Sequence, residues 1–251
     1  MAVTHIATSD ASSITVRGKN LVTDLMGQRT FTEMLYFLVC GKLPNRGQTP
    51  VLDVCLVTLM EHGWTPTSII TRLAIDSVPD QSQVAIAAGL LSVGPVFAGT
   101  MEGCAELLLA GTQSDEDPAT YCANVAAHYH RTRQTLPGFG HRLHKPDDPR
   151  SAVILKVLED NGLSGKYVQM LHTLSAAVDK EYGKHLTINA TGAIAAALLE
   201  IDVPISAMRG VAVVSRAGGL LGHVVEEQTQ PAAREIWRLA RENVPYQEPE
   251  Q

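Results

Sequence analysis

One stretch of the chain concentrates residues able to do chemistry: Leu136-Pro-Gly-Phe-Gly-His-Arg-Leu-His-Lys-Pro-Asp-Asp-Pro-Arg150. It sets two histidines, three cations and two acids among two glycines and three prolines. Proline fixes φ and glycine reaches backbone angles that other residues avoid, so the segment reads as a rigid, tight loop. A rigid loop that holds His141 among small residues suits ligand binding. Taken alone, His141 can serve as a general acid, a hydrogen-bond donor or a metal ligand. His144, Asp147 and Asp148 offer further ligand atoms, but no Cys or third His stands at ligand spacing, so no metal is expected. The plain alternative is a surface loop with scattered charges.

A second unusual spot is Ser215-Arg216-Ala-Gly218-Gly219. An arginine among small residues in an apolar helix is costly to bury unless it meets an anion. The alternative is an ion pair between helices. His128 and His130 are two apart on an expected helix, so they do not face each other and read as solvated. His223-Val-Val-Glu226-Glu227 lacks the second histidine of a zinc-protease signature and reads as one helix face. No GxxxxGK or GxSxG pattern occurs, and the GFG of the loop is too short for a dinucleotide fingerprint.

These residues need elements to hold them, and most of the sequence reads as helix. Thr30 with Glu33 forms a capping box before Met34 to Val39, and Gly41 and Pro44 stop that helix. Thr49-Pro50, Thr65-Pro66 and Asp117-Pro118 open others, and Asp80 with Gln83 opens one over Val84 to Leu91. Later helices are expected at Ser151 to Leu158, Ser164 to Tyr182, Thr191 to Glu200 and Ile205 to Gln228. The only β-rich runs are Ile14 to Val16 and Val211 to Val214. Small residues along helix faces (Ala85 to Gly89, Ala193 to Ala197) predict close helix contacts. The fold class is all-α.

Composition narrows the function classes. A chain of 251 residues that is 45% apolar can bury a full core. A net charge of -6 gives no basic footprint for nucleic acid. No uninterrupted apolar run is long enough to span a membrane. The N-terminus has no basic start followed by an apolar run, so no export signal is expected. Cys40, Cys55, Cys104 and Cys122 are far apart, without CxxC, and read as reduced and buried in a cytoplasmic protein.

The loop GFGHRLHKPDDPR resembles the signature loop of citrate synthases and of the citryl-CoA lyase domain of ATP-citrate lyase. The likeness covers most of the chain. RGKNLVTDLMGQRTFTEMLYFLVCGKLPN resembles the family's N-terminal segment. Gly94-Pro-Val-Phe-Ala-Gly-Thr-Met-Glu102 aligns with its GPLHGGANE stretch. Leu186-Thr-Ile-Asn-Ala-Thr191-Gly aligns with its NVD stretch, and Val214-Ser-Arg216-Ala-Gly with its late arginine segment. The chain is much shorter than a full citrate synthase and looks most like the small bacterial citryl-CoA lyases.

The resemblance implies a citrate synthase-like fold. A large helical domain over 1–104 and 187–251 would carry a smaller inserted helical domain over 105–186, in a homodimer or higher homo-oligomer. It implies that His141 polarises a 2-oxo acid carbonyl and that Arg150 and Arg216 clamp carboxylates. His62 falls at a further substrate-binding histidine, and Ser68 supports that alignment as a substrate-side residue. Gly138, Phe139, Gly140 and Lys145 match the loop that holds coenzyme A, with Lys145 on a phosphate. Two positions depart: Phe97 replaces the family's first catalytic histidine, and Thr191 replaces its catalytic aspartate. Phe97 cannot donate a hydrogen bond to a thioester oxygen, and a threonine hydroxyl is a poor base. The half of the site that recognises a 2-oxo acid is thus kept, and the half that enolises acetyl-CoA is altered.

The implied activity is a citryl-CoA lyase-like cleavage, or formation, of a C–C bond between an acyl-CoA and a 2-oxo acid such as oxaloacetate. His141, with His62 next, would take the substrate hydroxyl's proton. The alternatives are a citrate synthase-type acyltransferase using a non-acetyl acyl-CoA, a thioester hydrolase, and a non-catalytic relative that binds CoA or polycarboxylates. The CoA thioester is substrate, and no further cofactor is required. The partners are small molecules: an acyl-CoA and a di- or tricarboxylate.

Overall fold

The computed structural model describes residues 1–94, 99–141 and 143–249, so the expectation for Phe97 lies outside the described residues. An N-terminal antiparallel sheet runs β1 (Ala7–Ser9), β2 (Ile14–Val16), β3 (Lys19–Asn20), with Thr8 opposite Thr15 and Val16 opposite Lys19. A π-helical turn, Leu21–Leu25, follows. Then come α1 (Phe31–Cys40), α2 (Gln48–Met60), α3 (Pro66–Ser77), α4 (Ser82–Leu90), α5 (Gly99–Gln113) and α6 (Pro118–Thr132). The chain continues through α7 (Pro149–Asp160), α8 (Lys166–Tyr182), α9 (Ala190–Glu200), α10 (Ile205–Thr229) and α11 (Ala233–Asn243).

Local chemistry sets most helix ends. Thr30 and Glu33 form the expected box, with the Thr30 amide donating to Glu33 Oε2 at 2.8 Å. Pro66, Pro118 and Pro149 each open a helix, the last two behind side-chain caps from Asp117 and Asp148. Two readings change. α4 begins at Ser82 behind Gln81 without a side-chain cap, so Asp80 does not open it as expected. The β-rich run Val211 to Val214 lies inside α10, within the helix expected over Ile205 to Gln228. Val211, Ala212, Ser215 and Leu220 are buried there, and burial of that face overrides the strand propensity of single residues. α5 and α11 are helices that the residue pattern did not single out. In α5 the glycines lower helix propensity, yet Met101, Cys104, Ala105 and Leu108 form a buried helical stripe.

The chain forms two compact units, Met1–Cys55 with Thr100–Arg209, and Leu56–Gly99 with Gly210–Gln251. In the first, α9 is the central helix, with Ala193 to Leu198 fully buried, and α7 and α8 pack on it. Glu200 at its end accepts the Tyr167 and Val168 amides, capping α8. In the second, α3 and α4 pack so closely that a Cβ on Gly89 would lie 2.1 Å from Thr71 Oγ1. The small residues of these helices are what allow the approach. All four cysteines are free, and burial pushes the Cys55 and Cys104 thiols up to about 12, so they pack rather than react. No helix among the described residues is long and apolar enough to cross a membrane.

Candidate active site

The glycine-rich loop is stitched to the segment before α9. Phe139 pairs with Ile188 in an isolated antiparallel bridge. The Gly140 amide donates to Thr187 O at 2.7 Å, and the Asn189 amide donates to Gly138 O at 3.0 Å. Asn189 Nδ2 donates to Gly140 O at 3.0 Å, while its Oδ1 caps α9 through the Gly192 amide. Gly138 (φ +84°) passes so close to α5 that a Cβ would lie 2.5 Å from Cys104 Sγ. Phe139 is buried, so this residue can offer a ligand its backbone rather than its ring.

This frame aims His141 and Arg150. His141 Nδ1 accepts the amides of Leu143 at 3.1 Å and His144 at 3.0 Å. A ring nitrogen that accepts two N–H groups carries no proton, so the neutral ring holds its proton on Nε2. Arg150 Nη2 lies 3.4 Å from that Nε2; both carry N–H, so the two stand as neighbouring donors and do not bond to each other. Arg150 itself is gripped by buried Asp148: Nε donates to Oδ1 at 3.0 Å and Nη2 to Oδ2 at 2.8 Å. Asp148 also accepts the Arg150 and Ala190 amides, each at 3.1 Å. Burial alone would raise the Asp148 pKa, but Arg150 and these amides hold it below the usual carboxylate range. Two oriented donors side by side suit a carboxylate and the carbonyl next to it.

Below the loop, a cleft of about 400 Å³ is lined by Gly140, His141, Lys145, Pro146, Lys184 and His185, among others. His185 bridges Asp179 at 2.6 Å and Asp147 at 3.1 Å, and these hydrogen bonds raise its pKa. Thr191 Oγ1 donates to Asn189 Oδ1 at 2.7 Å and lies 3.0 Å from Thr100 Oγ1. Its proton is committed to Asn189, which leaves Thr191 a structural hydroxyl.

The second unit holds the other expected residues. His62 is exposed in the turn between α2 and α3. Ser68 is fully buried, with its hydroxyl 3.0 Å from both Gly63 O and Thr65 O and accepting the Thr65 amide at 2.9 Å. In that placement Ser68 holds the turn. Arg216 projects from α10, and its Nη1 is buried without a hydrogen-bond partner among the described residues. Burial pulls the Arg216 pKa down, and the nearby Glu61 charge opposes that shift. A half-buried guanidinium group with one unpaired nitrogen favours an anion beside it. The structure thus groups His141, Arg150, Lys145, Gly138 to Gly140 and Thr191 in one unit, and His62, Ser68 and Arg216 in the other. Asp148 and Asn189 were not singled out for these roles, although both carry a sequence signal as capping residues just before a helix.

The mostly helical frame agrees with the fold class that the residue motifs imply. Residues 47–240 match the family described as citrate synthase, C-terminal domain, and the chain belongs to that family. Among sequence relatives, it is 26% identical over 194 residues to a citrate synthase of Haloferax volcanii, covering 76% of this chain and 50% of the relative. It is 29% identical to a 2-methylcitrate synthase of Shewanella oneidensis, with 76% and 50% covered. The chain thus spans about half the length of these relatives. Among solved structures, citryl-CoA lyase from Hydrogenobacter thermophilus superposes with a TM-score of 0.89 at 26% identity, covering 100% of this chain and 96% of the other. ATP citrate lyase from Methanothrix soehngenii, in complex with citrate and coenzyme A, superposes at 0.82 over 100% of this chain and 42% of its own; at 19% identity it shares the fold.

Proposed function

We propose that this protein cleaves a citryl-CoA-type thioester into an acyl-CoA and a 2-oxo acid such as oxaloacetate, or runs the reverse condensation. The observation that carries the reading is the Nε2–H of His141 beside the Arg150 fork. In cleavage, the C–C bond breaks and its electron pair goes to the α-carbon of the acyl-CoA, which gains a proton. The substrate hydroxyl loses its proton and becomes the carbonyl of the 2-oxo acid. His141 donates a hydrogen bond to that oxygen while it carries negative charge, and Arg150 binds the adjacent carboxylate. With Nδ1 occupied by amides, His141 suits donation better than proton abstraction, so His62 is the stronger candidate for the base. Arg216 is assigned a second carboxylate, and Lys145 a phosphate of CoA.

The same reading assigns residues 105–186 to a smaller inserted helical domain and the assembly to a homodimer or larger homo-oligomer. The test is to incubate the purified protein with citryl-CoA and follow acetyl-CoA and oxaloacetate by mass spectrometry. Wild type yields both, and His141→Ala yields neither; no turnover of any citryl-type thioester by wild type overturns the reading. The committed hydroxyl of Thr191 favours one second reading, a relative that binds CoA and polycarboxylates without turnover. A thermal shift with CoA and citrate but no product supports that one.

A further inference from the structure

The second unit contains a chain of charges that the proposed reaction does not use. Arg72 on α3 is 2% exposed, and burying a guanidinium group is costly unless it is paired. It is paired: Nη1 donates to Glu227 Oε2 at 2.8 Å, Nη2 meets Glu226, and the group lies 4.9 Å over the Trp64 ring. Glu227 also caps α11 through the Ala232 and Ala233 amides, both at 2.7 Å. The remaining donor, Nε, reaches His223 Nδ1 at 2.9 Å.

That contact gives the chain a direction. Arginine only donates, so His223 Nδ1 accepts and the ring proton is on Nε2. His223 Nε2 is 3.1 Å from Glu61 Oε2. The other oxygen of Glu61 accepts the amide of His62 at 2.8 Å and that of Gly63 at 2.6 Å. Glu61 is 44% exposed, and yet three donors fix both of its oxygens. Gly219 keeps the slot open: a Cβ there would lie 2.0 Å from Met60 O and 3.0 Å from Glu61 Oε2.

We propose that Arg72, His223 and Glu61 are positioning residues that fix the turn carrying His62 and so set the direction of the His62 side chain for substrate. The link to substrate rests on the function proposed above; the fixing of the turn does not. Glu61→Gln is the sharpest probe. Its amide can meet the two backbone N–H groups or His223 with an oxygen, but whichever way it turns, one N–H faces another. His223 cannot change tautomer to relieve this, because Arg72 Nε occupies the other nitrogen.

The experiment uses the full chain and compares wild type with Glu61→Gln, His223→Phe and His223→Gln, the last of which keeps a donor near Nε2. Amide hydrogen exchange at His62 and Gly63 is read by NMR, alongside Tm, kcat and KM with citryl-CoA. We expect Glu61→Gln and His223→Phe to speed exchange at both amides by at least about tenfold. We expect kcat to fall by about 10- to 100-fold with a smaller change in KM, and His223→Gln to recover most of both losses. If the two amides keep wild-type protection in Glu61→Gln and His223→Phe, the proposal is overturned, whatever happens to turnover. A fall in Tm with exchange and kcat unchanged also overturns it, because that is the mark of a purely structural cluster. If His223→Phe loosens the whole unit, Glu61→Gln, which leaves the Arg72–Glu227 pair intact, decides. If wild type turns over no citryl-type thioester, the proposed function fails while the exchange data still decide the positioning.

Discussion

Asp148 and Arg150, two residues apart, form a closed fork, with Nε on Oδ1 at 3.0 Å and Nη2 on Oδ2 at 2.8 Å. The carboxylate is buried and the guanidinium group is partly exposed, so the fork points the arginine outward from a fixed base. Asp148→Asn keeps an acceptor for the helix cap but turns an N–H toward the guanidinium group. The expected result is a fall of about 10²-fold in kcat/KM for citryl-CoA, because Arg150 loses its direction. Chemical denaturation should show a loss of about 3 kcal/mol for breaking the pair. Wild-type kcat/KM in this variant removes the positioning role.

Two groups titrate with opposite effects on stability. The pKa of Asp148 is lowered from 3.8 in the folded state. Its contribution is therefore present above the unfolded value and is lost as pH falls through the folded one. The pKa of His185 is raised from 6.5, so its contribution is full below that value and is lost as pH rises through the folded one. A Tm-against-pH curve should fall on both sides. Asp179→Asn should flatten the limb above 6.5 and leave the acid limb in place; an alkaline limb that survives this change assigns it to another group.

Gly138 and Gly140 both have positive φ, at +84° and +78°, but their surroundings differ. Gly138→Ala meets Cys104 Sγ at 2.5 Å, whereas a Cβ on Gly140 meets nothing within 4 Å. Gly140→Ala should cost about 1 kcal/mol of backbone strain. Gly138→Ala should cost about 3 kcal/mol or more, since overpacking adds to that strain. Equal losses in denaturant titrations would contradict the close approach.

Thr191 lies in the first turn of α9, and its hydroxyl donates to Asn189 Oδ1. Thr191→Val removes this bond and leaves Asn189 to cap α9 through the Gly192 amide alone. The expected cost is about 1 kcal/mol of stability, with kcat within about threefold of wild type. A loss of turnover approaching 10³-fold would make Thr191 a catalytic group after all.

The sequence by itself determined the helical class, most helix starts and the identity of the chemical loop, because these depend on neighbours a few residues apart. Thr30 finds Glu33 in one turn, Asp117 and Asp148 stand directly before a proline, and GFGHRLHKPDDPR is contiguous. What the tertiary structure decided are relationships across long separations. α5 became helix, despite its glycines, because one stripe of it is buried. Ser68 turned inward to hold a turn. Asn189 fastened the loop from 49 residues away, and Arg72 reached His223 from 151 residues away. Residue type states which hydrogen bonds a side chain can make, but burial and packing choose the partner, and that choice separates a residue facing substrate from one holding the backbone.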